Sequence, residues 1–183
     1  MKLVAIVGSL RQESFNRAVF NAATELIGAD ASLTELPLAD VPLYDGDVEA
    51  AGDPEPVTAL KQDVANADGL IVFTPEYNRG VPAVTKNAID WLSRMPGDNV
   101  LIRTAVGVVA GTIGRHDAAG VRSHLSASLA MVDRFYETTL GLPSLSHTVV
   151  DGRLSDPDAR QALETWLAAF VVHVEESAKA TTD

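Results

Sequence analysis

Short apolar runs alternate along the chain with segments whose apolar residues recur at helical spacing. The first run, Leu3–Val7, stops at Gly8-Ser9, and Phe15, Val19, Ala22, Ala23 and Leu26 follow on one helical face. A second strand is expected over Ser32–Leu36. Pro37, Pro42, Gly46, Gly52, Pro54 and Pro56 then mark a long irregular connection into a helix near Val57–Ala67. Gly69–Thr74 reads as a buried strand ended by Pro75, and the helix after it spans about Pro82–Arg94, with Val84, Ala88, Ile89 and Leu92 turned inward. Thr104–Ala110 is β-branched enough for a central strand, and the next helix covers Ala118–Val132. A last short strand falls between Glu137 and Val150. The closing helix runs from Asp156 to Glu176, with Asp156 as cap and Pro157 at its first position, and the small polar tail Ala178–Asp183 is expected to fray. Five strands alternating with five helices predict an α/β fold, a doubly wound parallel sheet with helices on both faces.

At 183 residues the chain has room for one domain, taken as 1–183, and its 46% hydrophobic and 21% charged residues supply a continuous core. The balance of 14 Lys+Arg against 25 Asp+Glu, −11 in all, repels nucleic acids and anionic membrane surfaces, so neither is an expected partner. With no cysteine, the chain offers no disulfide, thiolate metal site or catalytic thiol. Leu3–Val7 is too short for a signal-peptide core and no run approaches the roughly 20 apolar residues of a membrane span. A cytoplasmic protein is the expectation.

In an open parallel sheet, ligands bind beyond the carboxyl ends of the strands, where the winding reverses. The loops Gly8–Asn16, Thr74–Pro82 and Gly111–Gly120 lie there. The first enters a helix, whose amino terminus attracts anions, and its Ser9, Arg11, Ser14 and Asn16 add donors suited to one terminal phosphate. Gly-x-Gly-x-x-Gly and the Gly-Lys-Ser/Thr pattern are both missing, which disfavours a pyrophosphate or triphosphate cradle. A helix cap at Ser14 and a solvated Arg11 would also account for these residues. In the second loop Tyr77 and Asn78, set between Pro75, Gly80 and Pro82, suit the edge of a planar heterocycle, unless Asn78 serves local backbone and Tyr77 packs on the next helix.

Three stretches carry a resemblance: Gly8-Ser9-Leu10-Arg11 with Ser14-Phe15-Asn16, Val41-Pro42-Leu43-Tyr44-Asp45, and Thr74-Pro75-Glu76-Tyr77-Asn78 with Pro82-Ala83 and Lys86-Asn87-Ala88-Ile89-Asp90-Trp91-Leu92-Ser93-Arg94. Together they resemble the NADPH-dependent FMN reductase family, with its quinone, chromate and azo reductases, from the start of the chain to about residue 132. The resemblance implies a flavodoxin-like fold, bound FMN, and NADPH or NADH as electron donor to a small-molecule acceptor. It implies that Ser9, Arg11, Ser14 and Asn16 hold the FMN phosphate, with Leu10 and Phe15 in the same motif. Pro75, Glu76, Tyr77 and Asn78 would line the isoalloxazine ring. Arg79 ends the second motif, and two roles stay open for it: the extra phosphate of the nucleotide, or an acidic partner across a subunit interface. The family also implies a homodimer or homotetramer. Gly111-Thr112-Ile113-Gly114-Arg115-His116-Asp117 departs from its usual compact glycine-rich turn, which leaves Gly111 and Thr112 as ring contacts on position alone.

His116, His124, His147 and His173 share no ligand spacing, so no metal site is expected, and no Gly-x-Ser-x-Gly elbow supports a hydrolase. Lys86 and Asp90 are four apart on a helix and suit a structural ion pair. No side chain need act as acid or base in a flavin reductase, because the flavin carries the hydride. The other class to weigh is a flavodoxin-like electron carrier, which lacks a guanidinium like that of Arg11 in its first loop.

Overall fold

The computed structural model describes residues 1–94 and 99–179. In chain order the elements are β1 (Lys2–Val7), α1 (Phe15–Leu26), β2 (Ser32–Glu35), α2 (Gly46–Ala50), α3 (Glu55–Ala65), β3 (Gly69–Pro75), α4 (Ala83–Leu92), β4 (Ala105–Gly111), α5 (Ala119–Ser128), β5 (Leu140–Leu142), α6 (Leu145–Thr148), β6 (Val149–Val150), β7 (Arg153–Leu154) and α7 (Pro157–Lys179). Five strands pair in parallel in the order β2-β1-β3-β4-β5. Successive strands first step from β1 to β2, then cross to β3 on the other side, so the winding reverses between β1 and β3. Their carboxyl ends are held in register by Val7 opposite Phe73 and Pro75 opposite Gly111. The crevice of the fold opens there.

Alternation along the strands divides the core in two. Leu3, Ala5, Val7, Ile71 and Phe73 pack with α1 and α7, while Val4, Ile6, Leu70, Val72 and Val108 pack with α3, α4 and α5. Both faces are covered, which is why β3 and β4 are buried at every residue and read as continuous apolar runs. α7 starts as expected: the Asp156 carboxylate accepts the Ala159 N–H at 2.9 Å, with Pro157 in the first turn.

Several boundaries differ from the sequence expectation. The irregular connection after β2 contains α2, capped by Asp45, whose carboxylate accepts the Asp47 N–H at 2.9 Å. α5 stops at Ser128, four residues before Val132. Leu129 and Val132 are nevertheless buried, so apolar spacing carried on past the end of the helix. The last sheet strand is interrupted: Phe135 bridges Val106, and pairing resumes only at Leu140 opposite Val109. Between β5 and α7 the chain forms α6 and the β6–β7 hairpin, whose turn residues Asp151 and Gly152 both have positive φ (49° and 74°). An Asp-Gly pair is the signature of such a turn, and strands of two residues are too short for alternation to reveal. α7 includes Ala178 and Lys179, while 180–183 of the expected frayed tail lie outside the described residues.

Candidate functional site

The loop after β1 leaves the sheet through a hydrogen bond from the Gly8 N–H to the Phe73 carbonyl at 2.7 Å. It then delivers Ser14 to the N-cap position of α1. Ser14 has the extended backbone of a cap but makes no side-chain capping bond, so its hydroxyl and the amino-terminal N–H groups of α1 are not spent on each other. Ser9 and Ser14 are both buried. Arg11 curls back, Nε donating to the Glu13 carbonyl at 3.0 Å, with its guanidinium 5.6 Å from the centre of the Phe15 ring. Asn16 is turned the other way: Nδ2 donates to the Gly111 carbonyl at 3.3 Å, and Oδ1 is buried with no partner.

After β3 the chain makes a tight hairpin. Tyr77 and Gly80 exchange backbone hydrogen bonds of 2.9 and 3.2 Å around Asn78 (φ 52°) and Arg79 (φ 60°). Two successive positive φ angles are those of a type I′ turn, which Asn tolerates well and Arg does not. Tyr77 is 55% exposed. Glu76 faces inward, its side chain 5% exposed, and Oε2 accepts the Val121 N–H at 3.0 Å. It thereby caps α5, a charge-assisted bond at the positive end of a helix. His116 Nδ1 lies 3.6 Å from the other carboxylate oxygen. Gly120 makes this contact feasible, because a Cβ there would stand 2.6 Å from the Arg79 carbonyl oxygen and 2.9 Å from Glu76 Oε2.

After β4, the Thr112 N–H donates to the Leu142 carbonyl at 3.0 Å and its hydroxyl accepts the Gly114 N–H at 3.1 Å. Arg122 secures the rest of this loop: Nε donates to the Asp117 carbonyl at 3.0 Å, the guanidinium pairs with the Asp117 carboxylate, and Nη1 donates to the Thr139 hydroxyl at 3.2 Å.

These three loops enclose a cleft of about 260 Å³ lined by Ser9, Arg11, Ser14, Phe15, Asn16, Pro75, Glu76, Tyr77, Gly111, Thr112, Ile113 and Leu145. Leu10, Asn78 and Arg79 fall outside it. Leu10 is 54% exposed, and the other two form the turn. Ile113 and Leu145 are the lining residues that sequence reasoning did not single out. Ile113 had a signal, being an apolar residue in the middle of a loop, whereas Leu145 had none, since α6 was not foreseen. Two roomier grooves, about 580 and 550 Å³, run along α1 beside the β6–β7 hairpin. Volume alone would choose them, but only the smaller cleft joins an apolar wall to polar groups at the switch point of the sheet.

The profile of the NADPH-dependent FMN reductase family matches residues 1–139, about three quarters of the chain. The chain belongs to this family. It is 34% identical over 181 residues to a 2-hydroxy-1,4-benzoquinone reductase of Burkholderia, covering 95% of this chain and 96% of that protein. With a quinone reductase of Escherichia coli K12 it shares 36% identity over 172 residues, 90% of this chain and 86% of the other. The structure of a flavoenzyme NAD(P)H:(acceptor) oxidoreductase from Paracoccus denitrificans superposes with a TM-score of 0.86 at 28% identity, over 96% of this chain and 98% of that one.

Membership also gives meaning to the motif around Tyr44. In this chain the strap 41–45 is pinned to α4: Asn87 accepts the Tyr44 N–H and donates to the Pro42 carbonyl, both at 2.8 Å, and Trp91 donates to the same carbonyl at 2.8 Å. The strap motif and the α4 motif thus form one joint. Tyr44 stacks edge-on to Trp91 at 5.0 Å and donates to Glu49 at 2.8 Å, and that hydrogen bond, with some burial, holds the phenol above its usual 10.0 despite the guanidinium of Arg94. Lys86 and Asp90 pair at 2.5 Å, as their spacing implied. None of the described helices is long and apolar enough to cross a membrane, and no group of three potential metal ligands occurs among the described residues.

Proposed function

We propose that the chain, acting as one FMN-binding domain over 1–183, is a cytoplasmic oxidoreductase that passes electrons from NADPH or NADH to a small acceptor of the quinone class. The residues present fit FMN. The cleft brings Ser9, Arg11 and Ser14, at the amino end of α1, together with Phe15, Pro75, Tyr77 and Ile113. That combination of polar donors and apolar or aromatic side chains in one cleft at the switch point is the observation that carries the reading. It suits a molecule with a phosphate at one end and a planar ring at the other.

In this assignment Ser14, Ser9 and Arg11 take the phosphate, with the Ser14 hydroxyl free because it caps nothing. The buried, unpartnered Oδ1 of Asn16 is an acceptor waiting for a donor, such as a hydroxyl of the ribityl chain. Tyr77 and Ile113 border the ring end, where the reacting partner must approach. Glu76 acts one step removed, holding α5 and with it the rim of the cleft. When bound, FMN supplies hydride acceptance from the nicotinamide and electron delivery to the acceptor, so the protein contributes binding, orientation and exclusion of water. A homodimer or homotetramer remains the expected assembly, and nucleic acid is not an expected partner.

The experiment is anaerobic: the yellow holoprotein is mixed with NADPH or NADH and then with a quinone. Bleaching by the nicotinamide followed by recovery with the quinone is expected, with parallel double-reciprocal lines in the steady state. If nicotinamide does not bleach the protein but a protein partner exchanges single electrons with it, the chain is a flavodoxin-like carrier instead.

A further inference from the structure

Two exposed arginines, Arg79 and Arg115, stand on the loops that border the cleft. In a chain of net charge −11, Arg17 is held by Glu35, Arg94 by Glu49, Arg122 by Asp117 and Arg160 by Glu25. Arg79 and Arg115 are exposed and engage no carboxylate among the described residues. Arg103 and Arg153 also meet no carboxylate among the described residues, but the first precedes β4 at the opposite end of the sheet and the second lies on β7.

The two rim arginines belong to loops that touch. Glu76 reaches Val121 and lies beside His116, and the backbone of Arg79 sits against Gly120. The acids of these two loops are already committed. Glu76 is buried on the N–H of Val121, and Asp117 is paired with Arg122. Neither guanidinium is paired with a carboxylate among the described residues, and a polyanionic nucleotide approaching an acidic protein meets positive charge at this rim. Arg79 moreover occupies the second position of the type I′ turn at φ 60°, where glycine is the unstrained choice. A strained backbone that presents an unpaired cation points to use of that cation.

We propose that Arg79 and Arg115 form a phosphate-reading rim that takes the 2′-phosphate of NADPH and so sets donor preference. The assignment rests on the oxidoreductase reading above. A phosphate monoester dianion is matched by two planar guanidinium groups better than by one, whereas the bare ribose of NADH offers them nothing to pair with. Arg11 is not part of this rim, since it covers Phe15 within the cleft.

Calorimetric titration of the holoprotein with adenosine 2′,5′-bisphosphate and with 5′-AMP tests this without turnover. The wild type is expected to bind the bisphosphate at least about tenfold more tightly, the scale of one hydrogen bond to a charged group. Arg115→Ala and Arg79→Gly should each reduce that preference and the double variant abolish it, with Arg79→Gly melting no lower than wild type because glycine relieves the turn. Equal affinities in the wild type, or a preference that survives in the double variant, would overturn the assignment. So would variants whose only change is weaker reduction of anionic quinones relative to neutral ones, which would place the anion on the acceptor. Bleaching of the flavin by NADPH and NADH alike, with no preference in the wild type, overturns the rim and leaves the oxidoreductase standing, whereas bleaching by neither removes both.

Discussion

The loops after β1 and β3 both carry several polar residues, yet they spend them differently. In the loop after β3, Glu76 is consumed in capping α5 and Asn78 in shaping a turn. In the loop after β1, Ser14 holds the capping position of α1 without using its hydroxyl, and Arg11 is occupied only by a carbonyl and a ring face. The first arrangement stabilises the protein whether or not anything is bound. The second leaves donors whose best partner is a ligand. Residue types at matching positions do not reveal this division, which depends on what each side chain finds within about 3 Å.

Glu76→Ala should show the largest effect, and on stability: it removes a charge-assisted bond to a helix end and empties buried volume, about 2–3 kcal/mol. Denaturant unfolding of the flavin-free protein measures it, and a loss confined to FMN affinity would reverse the roles of the two loops. Arg11→Ala should do the opposite, weakening FMN by about 1.5–3 kcal/mol, or about tenfold to a hundredfold, while the flavin-free protein unfolds nearly as before.

Ser14→Ala sharpens the contrast further. An N-cap serine ordinarily contributes about 1 kcal/mol to folding. Here the cap bond is not made, so flavin-free stability should change by less than about 0.5 kcal/mol while FMN affinity falls about tenfold, the lower end for one hydrogen bond to a charged group. A full capping loss in the melt would mean that the hydroxyl belongs to the helix.

The smallest effect concerns Tyr44. Its phenol is raised above 10.0, chiefly by the hydrogen bond to Glu49. A raised value means the stabilising contribution is complete below the unfolded value and is lost as pH climbs through the folded one. The difference in melting temperature between wild type and Tyr44→Phe should therefore be constant through neutral pH and shrink above about pH 10. A difference that grows with pH would have the sign wrong.

The sheet was legible because β1, β3 and β4 are apolar on both faces, and the loops of the candidate cleft were legible because they lie at the switch point and carry family motifs. Chemistry between loops was not legible. Glu76 to Val121 and Asn16 to Gly111 join residues far apart in sequence, and no local pattern predicts which oxygen meets which N–H. The β6–β7 hairpin and α6 escaped for a different reason: elements of two to four residues lack a period to read. The loop after β4 matched no motif, and its exposed Ile113, Arg115 and His116 became interpretable only beside Glu76 and Arg79.

The account stands most directly on the unspent donors at the start of α1. Equilibrium titration of the flavin-free protein with FMN and with riboflavin, which differ only in the phosphate, isolates them. At least two charged hydrogen bonds are at stake, so FMN should bind about a hundredfold or more tightly than riboflavin. Equal affinity for the two flavins would contradict the phosphate role of Ser9, Arg11 and Ser14.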